Sequence, residues 1–181
     1  ESFKPTYTEL TELIRLHSQN AREHDGVWSM PNGEDYYKHR LKIYTTTDYS
    51  PDEIHEIGLK EVARIRSEME DIIALVEWEG DFNSFLRFLR TDPQFYYETG
   101  EELLDAYRAM SKKIDAFMPS LFNKLPRAPY GVIPIPMESA PYTTTAYYNA
   151  PSKGRPGYYY ANLYQPETRP KYEIPVLSVH E

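Results

Sequence analysis

The chain contains no cysteine among its 181 residues. Disulfide bonds, thiol catalysis and thiolate zinc sites are therefore excluded, because each of them requires a cysteine sulfur. Any metal ion bound by this sequence has to be held by histidine, aspartate or glutamate side chains. The sequence offers 5 histidines and 28 acidic residues for such a site.

Long apolar runs and an excess of positive charge are also lacking. No run reaches the roughly 18 apolar residues of a transmembrane helix, and the first residues, Glu1 to Pro5, lack the apolar core of a signal peptide. The formal net charge of −8 argues against nucleic acid or an anionic membrane as the main partner. Because the chain lacks an initiating Met and ends inside an apolar pattern, we expect a fragment of a longer protein.

The composition changes near residue 126. Ten of the 15 prolines and nine of the 17 tyrosines lie in residues 126–181. Repeated prolines disfavour long helices and central strands, whereas tyrosines supply apolar faces with polar tips. We therefore predict a helical part over residues 1–125, followed over 126–181 by a strand-and-loop part that leads into a truncated helix. The expected fold class is α+β and mainly α-helical.

The plainest helix signal begins at Ser50. Ser50 is a suitable N-cap, Pro51 suits the first helical position, and Glu53 completes a capping box. The apolar residues that follow form one stripe over about seven turns, so we predict a long helix that needs a large partner surface. This stripe consists of Ile54, Ile57, Gly58, Val62, Ile65, Met69, Ile72, Ile73 and Val76.

Capping residues predict two further helices in the first 125 residues. Asp81 is expected to cap a helix that ends before Asp92. Thr99 and Glu102 form a second capping box, and the helix that they open is expected to end at Pro119. Apolar residues at helical spacing predict two earlier helices, over Thr8–Glu23 and Asp35–Thr47.

The best strand signal is the segment GYYYANLY, Gly157–Tyr164. Gly131–Ile135 and Thr143–Tyr148 are the candidates for its partner strands. Alternation along a strand is expected to place one set of side chains on the wetter face of the sheet. This set consists of Tyr158, Tyr160, Asn162 and Tyr164.

Two His-Glu dipeptides raise the question of a zinc site. A zinc peptidase helix carries two histidines one turn apart, with a glutamate beside the first. His55-Glu56 does not fit this pattern, because Leu59 stands four residues after His55, so a structural role is predicted. His180-Glu181 ends the chain, so its spacing to a second ligand cannot be read from this sequence.

The residues around the second dipeptide resemble a known family. The segments RPGYYYANLYQPETRPKYEIPVLSVHE, LPRAPYGVIPIP, AYY at Ala146 to Tyr148, and YTTTDYSPDEIHEIGLKEVARI are similar to the bacterial DUF885 family. The similar segments lie between about Tyr36 and the end of the chain and occur in the same order as in the family. This resemblance implies a mostly helical zinc metallopeptidase of the gluzincin type, whose motif continues after His-Glu with Pro-Gly and two further histidines.

By this resemblance, His180 is the first zinc ligand and Glu181 the general base. The resemblance implies zinc in the full-length protein and a peptide-like substrate. It also implies that the two predicted parts, residues 1–125 and 126–181, belong to one larger catalytic domain. The remainder of the parent chain is then their partner. Catalytic zinc needs about three protein ligands, so this fragment is expected to bind no zinc and to be inactive alone. Many relatives are exported proteins or lipoproteins, which favours the bacterial cell envelope over the cytoplasm.

A set of further residues is predicted to contact the substrate. The strand at Tyr158 is expected to lie along an extended peptide as an edge strand, with Tyr160 as an oxyanion donor and Asn162 facing the cleft. Arg155 and Arg169 are candidates for binding a substrate carboxylate. A hydrogen-bonded core role for the tyrosines and a loop-pinning role for the arginines remain alternatives.

Two other classes of function are compatible with the residues. One is a tyrosine-rich module that binds peptides or glycans. The other is a non-catalytic helical scaffold whose apolar stripe packs on the rest of the protein. Self-association through the uncovered helix face is then expected of the fragment.

Overall fold

The computed structural model describes residues 3–181. This part of the chain is mainly helical and contains six α-helices and one three-stranded sheet, which confirms the predicted α+β class. It divides into two compact units, one that ends at Ile72 and one over Ile73–Glu181. The helices are α1 (Phe3–Ser18), α2 (Gly33–Thr45), α3 (Pro51–Leu75), α4 (Phe82–Thr91), α5 (Gly100–Leu121) and α6 (Ile174–His180).

The start of α3 follows the capping box predicted from the sequence. The Glu53 backbone N–H donates to Ser50 Oγ at 3.2 Å, and the Ser50 N–H donates to a Glu53 carboxylate oxygen at 2.8 Å. Glu53 lies at the N-terminal end of the helix, and these hydrogen bonds lower the pKa of its carboxyl. Helix α1 lies five residues further toward the N-terminus than predicted, and α2 begins at Gly33 rather than Asp35.

The apolar stripe of α3 is largely exposed. Val62 is 68% exposed, and among the described stripe residues Ile73 is the one classed as buried. Helix α1 likewise has no buried residue in its described range, Phe3–Ser18. Large apolar side chains of α1 and α3 are therefore exposed.

Helices α4 and α5 begin at their predicted caps. Asp81 accepts a hydrogen bond from the Ser84 N–H at 2.7 Å, and Thr99 and Glu102 form the second capping box. The prediction that Pro119 ends α5 is wrong, because the helix continues to Leu121. A proline removes one N–H donor, but the last turn still closes through the Phe122 N–H and the Met118 carbonyl at 3.0 Å.

The sheet consists of β1 (Tyr130–Pro134), β2 (Ala146–Asn149) and β3 (Gly157–Ala161), in the order β1-β3-β2. Strand β3 pairs in parallel with β1 and antiparallel with β2, so both predicted partner strands are confirmed. The expectation that this strand is an edge strand is wrong, because it lies in the centre of the sheet. Its backbone groups are used on both sides, and it has no free edge for a substrate.

One face of β3 packs against α5 and α6 and forms the core. Tyr159 and Ala161 lie on this face, together with Val132 of β1 and Ala146 of β2. The helices contribute Leu103, Leu104, Tyr107 and Ile174 to the same buried cluster. The core of the second unit therefore lies between this face of the sheet and the two helices.

Candidate functional site

Helix α6 carries His180 and Glu181 to one end of this core. The helix packs on α5, and its first residue, Ile174, is buried in the core cluster. The two residues line different hollows. His180 lines a hollow of about 280 Å³ with Thr145 and Glu173, whereas Glu181 lines a separate one of about 310 Å³.

The hollow beside Glu181 is walled by one tyrosine from each strand, and we call it the tyrosine cavity. Its tyrosines are Tyr130 of β1, Tyr148 of β2 and Tyr159 of β3. Tyr148 pairs directly with Tyr159, and Tyr130 pairs with Gly157 two residues earlier in β3, so all three lie on the same face. The cavity is completed by residues of α5 and α6 that include Asp115, Ser178 and Glu181.

Gly157 makes room for the wall of this cavity. A Cβ atom at this position would collide with the hydroxyl and ring of Tyr148. Gly131 of the neighbouring strand has no such role, because a Cβ there would make an ordinary contact of 3.6 Å with the Tyr158 ring. The absence of a side chain at Gly157 thus lets Tyr148 lie over β3.

Tyr130 is anchored by a carboxylate. Its hydroxyl donates to Asp115 Oδ1 at 3.0 Å, which connects β1 to α5. Burial raises the pKa of Tyr130, and its hydrogen bond to the Asp115 carboxylate acts in the same direction. The phenol therefore stays neutral and keeps donating its proton at physiological pH.

Tyr159 lies deeper, and its hydroxyl is unusual. The residue is 2% exposed, and among the described residues neither its hydroxyl nor that of Ser178 has a hydrogen bond of normal geometry. Burial raises the pKa of Tyr159; the nearby Ser178 hydroxyl opposes this effect, and Tyr107 and Glu181 add to it. Two buried hydroxyls thus lie beside the last turn of α6, near enough for Ser178 to lower the pKa of Tyr159 but without a hydrogen bond of normal geometry.

The structure does not bring the predicted substrate residues of β3 together with Glu181. Tyr158 and Tyr160 lie on the wetter face, as the alternation predicts, but α6 packs on the opposite face of the sheet. The ring of Tyr160 stacks on that of Tyr147, with centroids 4.7 Å apart. The predicted role of Tyr160 as an oxyanion donor beside Glu181 therefore has no geometric basis in this arrangement.

Asn162 departs from the predicted alternation, because the strand ends at Ala161. Its side chain is fully buried. The amide nitrogen donates to the carbonyls of Ala140 at 2.8 Å and Thr144 at 3.0 Å, and the amide oxygen accepts from the Tyr164 N–H at 3.0 Å. The prediction that Asn162 faces a substrate cleft is wrong, since its polar groups are used to hold loops.

Both candidate arginines make backbone contacts. Arg155 Nη2 donates to the Ala150 carbonyl at 2.7 Å, and Arg169 Nε donates to the Tyr164 carbonyl at 2.9 Å. Neither arginine lines the tyrosine cavity. These bonds are the ones expected of the loop-pinning alternative.

The described residues do not complete a metal site. Within residues 3–181 no three His, Asp or Glu side chains come together in a way that could hold a metal ion. A catalytic zinc site needs about three protein ligands, and His180 supplies at most one of them. The zinc implied by the resemblance is therefore not accommodated by the donors of this chain alone.

Four residues of the cavity are not singled out by the sequence: Tyr130, Tyr148, Tyr159 and Asp115. Alternation separates Tyr159 from Tyr158 and Tyr160, but it does not tell which face meets the helices. The strand register groups them: when β1 and β2 are aligned on β3, the three tyrosines fall on one face of the sheet. Only the pairing of distant segments makes this grouping visible.

The fold and the site define a class of mainly helical α+β proteins in which a small mixed sheet carries a tyrosine-lined cavity beside a His-Glu dipeptide. The chain belongs to the family described as bacterial proteins of unknown function, DUF885, whose family model matches residues 1–181. No curated protein matches the chain.

A solved structure is similar over nearly the whole chain. It is described as "the putative lipoprotein from Colwellia psychrerythraea", with 29% sequence identity and a TM-score of 0.88. The similarity covers 98% of this chain and 32% of that protein, so the chain spans about a third of the structure that it matches. In the described residues no helix is long and apolar enough to cross a membrane.

Proposed function

We propose that this chain forms one wall of the active site of a zinc-dependent hydrolase that cleaves peptide or related amide bonds. In this proposal His180 is one metal ligand and Glu181 is the general base. The observation that carries the proposal is the position of Glu181, which lines the tyrosine cavity at the end of α6, directly after His180.

The remaining metal ligands are proposed to come from the remainder of the parent chain. Support comes from the matched structure, of which 68% lies outside the similar region (100% minus 32%). The uncovered apolar faces of α1 and α3 are also suited to a large intramolecular partner. Since the donors of this chain do not complete the site, no catalytic step through the metal is derived from it.

The residues of this chain supply the surroundings of the base. Glu181 is proposed to take a proton from the attacking water and to deliver it to the leaving amine. Its neighbours on the cavity wall, Tyr130 and Tyr159, are held neutral by burial, so they do not add negative charge beside it. Tyr159 replaces Tyr160 as the tyrosine that lies near the base.

We also propose that the parent protein acts in the bacterial cell envelope. The family is bacterial, and the similar structure is described as that of a "putative lipoprotein".

The proposal is tested in the longer protein that contains this chain. We expect about one zinc per chain, as measured by elemental analysis of the purified protein. His180→Ala is expected to lose the metal. Glu181→Gln is expected to keep it while hydrolysis of a quenched fluorescent peptide falls by roughly 10² to 10⁴-fold, which is the usual contribution of a general base.

The second His-Glu dipeptide provides the matched control. His55 and Glu56 lie exposed in α3, and His55→Ala and Glu56→Gln are expected to leave both zinc content and turnover unchanged. Full turnover in Glu181→Gln, or a metal-free protein that still hydrolyses the peptide, contradicts the proposal.

A further inference from the structure

The charges around the tyrosine cavity are of one sign. Asp115 and Glu181 line it, and among the described residues no lysine, arginine or histidine does so. Lys112 pairs with one of these carboxylates: its Nζ lies 3.3 Å from Asp115 Oδ2, and its side chain is 84% exposed. An exposed ion pair of this kind contributes little to stability, so Lys112 is easily displaced by another cation.

Aromatic and aliphatic side chains both line the cavity. The rings of Tyr130, Tyr148 and Tyr159 form one side of the cavity. Aromatic faces attract organic cations through the ring quadrupole, and the attraction increases when the cation is partly desolvated. Carboxylates combined with tyrosine rings suit a cation and repel a carboxylate or phosphate.

An unpaired hydroxyl lies in the same cavity. Tyr159 is only 2% exposed, and neither its hydroxyl nor the nearby Ser178 hydroxyl has a hydrogen bond of normal geometry among the described residues. A buried hydroxyl without a well-aligned partner is unusual unless a ligand supplies one. The oxygen is able to accept a hydrogen bond from an ammonium N–H.

The space available extends beyond the cavity itself. A second hollow of about 690 Å³ shares Asp115, Tyr130 and Tyr148 with it. Together with the cavity of about 310 Å³, this is the size range of sites that hold small organic ligands. The rest of a ligand therefore has room to continue past Asp115.

We propose that the tyrosine cavity binds a primary ammonium group of the substrate, held by Asp115 and Glu181 against the three tyrosine rings. The identity of the bound molecule as a substrate rests on the proposed function, whereas the binding of the ammonium group does not. Such a group has two sources in a peptide, the N-terminus and the side chain of lysine.

Three lysine derivatives separate these sources. Nα-acetyl-lysine amide carries only the side-chain ammonium, Nε-acetyl-lysine amide carries only the α-ammonium, and the diacetylated amide carries neither. Binding to the longer protein that contains this chain is measured by calorimetry or NMR titration in the presence of a chelator. We expect at least one charged derivative to bind roughly tenfold or more tightly than the diacetylated one, as for hydrogen bonds to charged groups.

Variants locate the binding. Asp115→Asn keeps the acceptor for Tyr130 but removes the charge, and it is expected to weaken binding of the charged derivative by roughly tenfold. Asp105→Asn is the matched control, since Asp105 lies on the same helix, is exposed, and pairs with Arg108 outside the cavity. If Asp115→Asn does not fold, Glu181→Gln serves as the second variant, with the same expected direction.

Equal binding of all three derivatives, or no binding of any, overturns the proposal. So does equal affinity in Asp115→Asn and Asp105→Asn. These outcomes are independent of zinc content and peptide hydrolysis, which test the proposed function. If the protein contains zinc and its activity depends on Glu181, but the three derivatives bind equally, only the ammonium site is rejected. If the derivatives bind differently but the protein contains no zinc, only the proposed zinc hydrolase function is rejected.

Discussion

The ring of Tyr107 in α5 meets the ring of Tyr159 in β3 edge to face, with the two ring centroids 5.6 Å apart. Both residues are 2% exposed. Such a pair contributes about 0.5 to 1.5 kcal/mol beyond the burial of its surface. The contact joins the centre of the sheet to the helix packed on it and holds the ring of Tyr159, a residue that lines the cavity.

Tyr159→Phe tests the unpaired hydroxyl. The variant keeps the ring contact with Tyr107 and removes a buried oxygen that lacks a partner. We expect the free energy of unfolding, measured with urea, to rise by about 1 kcal/mol, because the desolvation cost of that oxygen disappears. Tyr142→Phe is the control, since Tyr142 is 88% exposed and the change there is expected to be close to zero. A clear loss of stability in Tyr159→Phe means that the hydroxyl is hydrogen-bonded in solution.

Gly157→Ala tests the close approach of Tyr148 to β3. The added methyl group collides with Tyr148, so the ring has to leave its place on the cavity wall. We expect a loss of about 1 to 3 kcal/mol in unfolding free energy, as for other overpacked sites. Gly131→Ala is the matched control in β1, where the methyl group finds ordinary contacts. Similar losses in the two variants contradict the special role of Gly157.

Asn162→Ala tests whether this residue is structural. The substitution removes three hydrogen bonds and leaves the carbonyls of Ala140 and Thr144 without this donor. We expect a loss of about 3 kcal/mol in unfolding free energy. Asn149→Ala, at the exposed end of β2, is expected to change it by less than about 0.5 kcal/mol. A stable Asn162→Ala protein returns the residue to the list of candidates for substrate contact.

Local signals predicted much of the helical part. The boxes at Ser50 and Thr99 and the cap at Asp81 depend on residues three apart, so the sequence alone contains the complete interaction. Pro119 was misjudged because a proline in the last turn costs little when the following turn still closes. The division into residues 1–125 and 126–181 stays a prediction.

The candidate site was harder to predict, because its members come from distant segments. Strand β3 is predictable from its own residues, but its central place in the sheet depends on its pairing with β1 and β2. No local sequence pattern encodes the order of the three strands. For this reason alternation alone favours the half-buried Tyr158 and Tyr160 over Tyr159 as site residues. Asn162 was placed on the wet face because the strand was expected to continue three residues beyond Ala161.

Stability is expected to fall at alkaline pH. Burial raises the pKa of Tyr107, Tyr130 and Tyr159 above the ordinary value of 10.0. The folded chain therefore keeps these protons to higher pH than the unfolded chain does. Their contribution is fully present below pH 10 and is lost as the pH rises above it.

Urea denaturation at several pH values between about 8 and 11 measures this effect, since tyrosines of the unfolded chain titrate near pH 10. Tyr159→Phe is expected to reduce the fall in unfolding free energy above that value, whereas Tyr142→Phe is not. Parallel titration by absorbance is expected to show delayed ionisation of the buried tyrosines. A stability that is constant or rises above pH 10 contradicts the prediction.

The exposed stripe of α3 is expected to make the isolated chain associate. Val62, Ile65 and Ile72 remain exposed on one side of the helix, and uncovered apolar faces of this length bind one another. Val62→Lys combined with Ile65→Lys places two charges on the stripe and is expected to shift the chain toward monomer in sedimentation velocity. Ala63→Lys with Ser67→Lys adds the same charge to the opposite side of α3 and is expected to leave association unchanged. A monomeric wild-type chain at high concentration contradicts the idea that this face normally has a partner.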